Sequence, residues 1–597
     1  MPIDRAALTR HPFRNLRRRL ALAVLLGAAA ALPLASCGAG DSGGSAGERR
    51  MMAGFGSGSG SYRLSSPYGS FLAARHAREL NDNTAAANYY MRALKEDADN
   101  AMLAQGAFLA LLADGRVAEA VALTPALRSH NPADYLPRMT QAAAQMLARD
   151  YDGVLKLVAD GPSGGIHAAF NPLLAAFAHA GKNEGDAALA QLQKLERHPL
   201  LAGVHAHLKP LLLDLLNRPE DADAAYRDAI EGRDRAGTRL VEAYARFLER
   251  QNRRDDARQL IAEQLEQNPD NPVLMHAARR LEANSSQPAE PLLGNAVDGL
   301  AEAMFASASA MGRSDGGELA EVHLQLALFL RPDLDEARML LGDIYESRER
   351  WEEALTMYSK VSAASAYAES AQLRSAWSIN ELGRTDEAIR ILRNMAKADP
   401  KSPRPLLTLA DLHRSAERWS DAVKEYTAAL ERIPKHEARH WPIFFGRGVS
   451  HERSKNWDKA EADMLKALEL QPDQPLVLNY LGYSWVDMNR NLERGTKMIE
   501  RAVALRPNDG AIVDSLGWAL YRQGRYDEAV VQLERAVELK GGDPVITDHL
   551  GDAYWKVGRR EEARFQWRRA LGLKPEQELA IQVQRKLDNG LDPLAKN

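Results

Sequence analysis

The chain has 597 residues, 45% hydrophobic and 26% charged, with 77 basic against 81 acidic side chains. That length exceeds what one compact core holds, and the composition excludes wholesale disorder. The formal net charge of −4 excludes a general basic surface of the kind nucleic acid requires. Aromatic residues are only 6%, while Ala and Leu abound, which favours helices because those two residues cost least there. A single cysteine, Cys37, excludes an internal disulfide.

The first element is a basic region, Arg14, Arg17, Arg18 and Arg19, ahead of the apolar run Leu20 to Leu32. The run is shorter than the about 20 residues a membrane span needs and fits a secretory signal peptide. Leu34-Ala35-Ser36-Cys37 follows. Together these features resemble the lipobox of bacterial lipoproteins. The resemblance implies a signal peptide over 1–36 and a lipid anchor on Cys37, which becomes the new N-terminus. Gly38 stands where an Asp would retain such a protein at the inner membrane. The resemblance therefore implies the outer membrane of a Gram-negative bacterium, on its periplasmic face. Residues 37–66 are rich in Gly and Ser and read as a tether with a reach of about 25–30 Å.

From residue 67 onward the chain is one repeat. A small residue recurs at Ala354, Ala388, Ala422, Ala460, Gly495, Ala529 and Ala563, at spacings of 34, 34, 38, 35, 34 and 34. Twelve positions ahead of most of these stands a Gly or Ala: Gly342, Ala376, Ala410, Gly448, Gly517 and Gly551; Gly482 leads Gly495 by thirteen. Pro400, Pro434, Pro472, Pro507 and Pro575 stop the second helices. With Leu550, Gly551, Tyr554, Ala563, Trp567, Ala570 and Pro575 in the last unit, the pattern resembles the tetratricopeptide repeat. The resemblance implies an all-α solenoid, a superhelix of helix-turn-helix units packed through small residues where backbones meet.

The pattern is worn over 67–283, where Ala86, Ala120, Ala222 and Ala257 hold register but 150–205 is hard to follow. Residues 284–298 read as a linker around NSSQPAEPLL, after which Ala320, Leu324 and Ala327 restart the pattern. The expected organisation is thus a degenerate repeat block over 67–283, a second block over 299–575, about a dozen repeats or slightly more, and a capping helix and tail over 576–597.

Residues His436-Glu437-Ala438-Arg439-His440 form an H-E-x-x-H, the spacing of two zinc ligands and a general base on one helix. In register it falls between repeats, in the connection that is four residues too long, just before a first helix starting near Trp441. Pro442 disfavours helix before it, so the expectation is a solvated loop; a zinc peptidase through His436 and His440 is the remote alternative. No G-x-x-x-x-G-K-[ST] or paired-cysteine motif is present. The expectation is a non-enzyme without cofactor or metal.

The resemblance implies an inner face lined by first helices. Its positions in the last three full repeats are Asn479, Tyr483 and Asp487; Asp514, Trp518 and Tyr521; and Asp548, Asp552 and Trp555. Either these aromatics and carboxylates form an acidic groove that anchors a protein partner, or the aromatics cover neighbouring helices. Residues 299–346, with LNYLGYSWVD (478–487) and VDSLGWALYRQGRYDEAV (513–530), resemble a family of outer-membrane repeat lipoproteins that includes the binding partner of a periplasmic C-terminal processing protease. That resemblance implies an adaptor that tethers the protease and presents its substrates, or cell-wall enzymes. An assembly factor for polysaccharide export, secretion or pilus biogenesis is the alternative.

Overall fold

The computed structural model describes residues 67–232, 237–283, 289–311 and 317–591. The signal peptide, Cys37 and the tether lie outside those residues, as do positions 284–288 of the expected linker and 592–597 of the tail. The described residues form thirty α-helices and no strand. Nearly all are antiparallel pairs joined by tight turns, so the fold is an all-α helix-turn-helix solenoid.

The turn inside each pair is built by one left-handed residue. Asn81, Gly115, Arg149, Asn183, Asn217 and Asn252 mark it first; Glu349, Gly383, Glu417, Lys455, Asn489, Gly524 and Gly558 mark it later, all with φ between 55° and 82° except Gly558 at 85°. After each, the next N–H reaches back across the helix end, as Arg116 to the Leu111 carbonyl (2.9 Å) and Arg525 to Leu520 (3.0 Å). This closes the open carbonyls of the first helix. Because the left-handed residue recurs every 34 or 35 positions from Asn81 to Asn252, the repeat continues unbroken through 150–205. The small-residue position is occupied there by Val154 and Ala188, both fully buried like Ala120 and Ala222.

The helices of a pair touch backbone to backbone where the small residues stand. Ala354, Ala388, Ala422, Ala460, Ala529 and Ala563 are all fully buried. At the Gly482–Gly495 crossing, a methyl on either residue would meet the other's carbonyl oxygen at 2.7 or 2.8 Å. The helix Gln577–Asn589 packs at the end of the described residues and buries Leu579 and Val583 in one cluster with Tyr554 and Trp567.

The described residues fall into two compact units that divide between Ser378 and Ile379, whereas the sequence reading put a boundary at 284–298. The reason lies within the first unit. The helices Ala296–Met311 and Gly317–Leu330 pair with each other but also pack on the first helices of the earlier repeats, Tyr135–Leu147, Ile166–Gly181 and Ala202–Leu215. Phe177 fills the space beside Gly299. Phe170 meets His323 edge-on at 4.7 Å, and the Tyr135 hydroxyl lies 2.7 Å from His323 Nε2.

Glu302, with no exposed surface, accepts two bonds from Arg239 at 2.7 Å and stands 2.9 Å from His207 Nε2. Burial alone would raise this carboxyl; Arg239 and His207 outweigh it and hold Glu302 far below the usual carboxylate range. The first-helix face of the degenerate block is therefore covered by the chain's own helix pair.

Candidate protein-binding face

The second unit carries no such helix pair on its first helices among the described residues. Three of those helices hold the sequence-predicted residues: Pro475–Asp487, Gly510–Arg522 and Pro544–Lys556. Asn479, Tyr483 and Asp487 recur every fourth residue, so they share one face. Trp518 lies flat on Tyr521, with ring centroids 4.9 Å apart and planes at 9°. It also stacks on His549 of the next repeat, at 4.2 Å and 17°.

The predicted carboxylates are largely neutralised from within. His549 Nδ1 donates to Asp514 at 2.9 Å. Burial opposes charge on this imidazole, but Asp514, with Asp548 and Asp552 beyond it, outweighs burial and raises its pKa above the ordinary value. Lys586 of the end helix lies 2.7 Å from Asp548 and 2.8 Å from Asp552. Asp552 also accepts from the Trp567 indole at 3.0 Å. Burial raises the Asp552 carboxyl, with Asp548 adding to the rise and Lys586 opposing it. Asp548 and Asp552 are thus buried under the cap, and Trp555 packs against the buried Trp567 at 5.3 Å and against Gly590. Asp487 keeps a looser pairing with Arg522 at 3.4 Å.

The part of the face left half-buried is Asn479, Tyr483, Asp487, Trp518, Tyr521 and Trp555. It is mainly aromatic, and its one carboxylate, Asp487, faces Arg522. Three polar atoms on it, Asn479 Oδ1, the Tyr483 hydroxyl and Trp518 Nε1, are buried without a hydrogen bond inside the chain. Buried polar groups are nearly always paired, so three together on one surface call for an explanation. One acceptor, one donor and one hydroxyl beside stacked rings suit a peptide backbone, which offers an N–H and a C=O per residue.

The sequence reading did not single out His549 or Lys586. His549 lies one residue past Asp548, and its partner Asp514 is 35 positions away. Its only sequence signal is a lone imidazole in an Asp-rich first helix.

The H-E-x-x-H does not form a helical turn with both imidazoles on one face. Ala438–His440 is a short 3-10 turn, and the following helix is Trp441–Arg453, as the register predicts. The rings of His436 and His440 stand 6.4 Å apart at 77°, and His436 packs edge-on against Phe444 at 5.1 Å. His440 is buried rather than solvated. Its Nδ1 accepts from the Glu437 backbone at 2.9 Å, and the Arg439 guanidinium stands 3.2 Å from Nε2, where a metal would sit. Among the described residues no three His, Cys, Asp or Glu side chains gather in a way that could hold a metal ion.

These features define an all-α helix-turn-helix repeat protein, and part of its length is similar to tetratricopeptide repeats. Family models of the tetratricopeptide repeat match residues 339–403, 380–442, 489–544 and 548–577. The chain is similar to the TPR repeat-containing protein PA4667 of Pseudomonas aeruginosa, 28% identical over 196 residues, which is 33% of this chain and 32% of that one. The match thus spans about a third of the length of that relative.

Similar solved structures include the Cut9–Hcn1 hetero-tetramer of the APC/C, at 16% identity over 89% of this chain and 97% of that one, with a TM-score of 0.35. YrrB, described as a TPR protein with an unusual peptide-binding site, is 22% identical over 32% of this chain and 97% of its own, with a TM-score of 0.27. MamA is 19% identical over 33% of this chain and all of its own, with a TM-score of 0.26.

Proposed function

We propose that this chain is a lipid-anchored periplasmic scaffold that holds a protein partner against the first helices of its C-terminal repeats. The observation that carries the reading is three buried polar atoms without a partner inside the chain, on Asn479, Tyr483 and Trp518, the last of which stacks on Tyr521. Aromatic anchors beside unsatisfied donors and acceptors bind an extended or helical segment through both its apolar side chains and its backbone. The corresponding face of the first unit is covered by residues 296–311 and 317–330, which leaves that unit as a spacer or brace.

Cys37 at the outer membrane supplies the anchor, and the tether over 37–66 supplies reach. The resemblance over 299–346, 478–487 and 513–530 favours a periplasmic C-terminal processing protease as the partner, with the scaffold presenting substrates to it. Catalysis then belongs to the second chain.

The test is a pull-down through a C-terminal tag, with Cys37 intact and cross-linking in cells. Recovery of a periplasmic serine protease with its substrates is expected. Recovery of export, secretion or pilus components without a protease would replace the adaptor role by assembly of an envelope machine. Release of the mature chain from membranes after Cys37→Ser is expected; unchanged membrane association would overturn the anchor.

A further inference from the structure

A second surface of the same unit lies on other helices and has a different chemistry. A cleft of about 430 Å³ opens between Thr385–Ala398 and the turn between the two helices of the next repeat. Arg390, Arg393 and Lys397 line it from a single stripe of Thr385–Ala398, at i, i+3 and i+7; Arg418 joins them from the turn before Trp419–Glu431. Elsewhere this chain pairs the arginine of that turn with an acid three residues on, as in Arg384–Glu387, Arg525–Glu528 and Arg559–Glu562. Here none of the four cations makes a hydrogen bond or ion pair within the described residues. Two carboxylates, Asp386 and Asp421, share the lining, so four cations against two anions leave a formal surplus of two positive charges.

The floor of the cleft holds the second observation. His413 is 2% exposed, and neither of its ring nitrogens has a hydrogen-bond partner. Burial holds its pKa below the ordinary value, with Arg418 and Arg393 pushing the same way against Asp421. The ring is therefore neutral at neutral pH, with an unpaired N–H donor. A buried donor without an acceptor is unfavourable, and four cations on one side of a surface repel one another. A single anion seated in the cleft relieves both.

We propose that this cleft binds a phosphate-bearing anion, held by Arg390, Arg393, Lys397 and Arg418 and capped by the N–H of His413. A phosphate monoester carries close to two negative charges near neutral pH, which matches the surplus. Guanidinium groups hold its oxygens in paired, planar fashion. The phosphate belongs either to a soluble molecule or to a lipid headgroup.

The test is acetylation footprinting of Lys397 in the full chain, read by mass spectrometry against the exposed Lys497 as internal control. Inorganic phosphate, phosphatidic-acid micelles and phosphatidylcholine micelles are compared with chloride at matched ionic strength. Saturable protection of Lys397 alone by inorganic phosphate is expected if the ligand is soluble. Protection by phosphatidic acid without protection by free phosphate assigns the headgroup. In Arg390→Gln/Arg393→Gln, two exposed positions, the concentration for half-protection should rise about tenfold or more with helical content unchanged. Protection by neither phosphate nor phosphatidic acid overturns the proposal. So does protection by phosphatidylcholine equal to that by phosphatidic acid, or protection that the double variant leaves unchanged.

Discussion

Trp518 lies flat against His549, 4.2 Å between ring centroids, while the same imidazole donates to Asp514 at 2.9 Å. One first helix is thereby locked to the next through an aromatic ring and a carboxylate. The half-buried Trp518, stacked also on Tyr521, is the centre of the proposed partner-binding face.

The pairing predicts a pH response. A histidine whose folded pKa is raised contributes stability that is fully present below its unfolded value near 6.5 and is lost as pH rises through the folded pKa. His549 should therefore titrate above the ordinary imidazole range. Asp514→Asn should bring it below that range, because burial is then opposed only by the more distant Asp548 and Asp552. Histidine ring NMR against pH, or the quenching of Trp518 fluorescence by the charged ring, reads both. A folded pKa unchanged in Asp514→Asn would refute the assignment.

At the Gly482–Gly495 crossing each backbone carbonyl occupies the space a Cβ would take. No flexible side chain lies between them to move aside. Gly495→Ala should destabilise the second unit by about 1–3 kcal/mol through overpacking, although alanine favours helices. Urea unfolding followed by circular dichroism checks the sign and size. A variant as stable as the parent would show that the two helices separate freely.

The covered face of the first unit rests on a buried charge. Arg239→Ala strands Glu302 without its main partner, and such a loss costs about 3–5 kcal/mol. Hydrogen exchange over 296–311 should rise sharply, with exchange over 510–522 unchanged. Equal protection in variant and parent would mean that the helix pair is held by its apolar contacts alone.

Two of the left-handed turn residues, Glu417 and Lys455, are poorly suited to φ values of 59° and 62°. Glycine carries no Cβ penalty there, so Glu417→Gly and Lys455→Gly should each stabilise the fold by about 1 kcal/mol. Gly524→Ala, at φ 78° with open space around it, should do the reverse. Denaturation midpoints of the three variants test the turn directly.

These turns also show why the sequence was legible in one half and faint in the other. From Ala354 to Ala563 the small residues stand at a near-constant period, and Gly383, Gly524 and Gly558 announce their turns. Around 150–205 the same geometry is met by Val154 at one small-residue site and by Arg149 at one turn, so residue type marks the repeat only at Asn183 and Ala188.

Residues 317–330 illustrate a different limit. Ala320, Leu324 and Ala327 are all buried, in the register of a repeat. Periodicity reports that a helix pairs with a neighbour, and is silent on what its other faces meet. The neutralised carboxylates were hidden for a related reason. Lys586 reaches Asp548 and Asp552 across 38 and 34 positions, and nothing local in either segment signals the pairing.

The central claim is that a partner lies on the face that includes Asn479. The direct measurement is site-specific photo-cross-linking in cells, with a photo-reactive amino acid at Asn479 and, as control, at Glu500 on the exposed side of the second helix of the same repeat. A discrete adduct with a second polypeptide from position 479, absent from position 500 and lost on Trp518→Ala, is the predicted result. No adduct from 479, or the same adduct from both positions, would contradict the account.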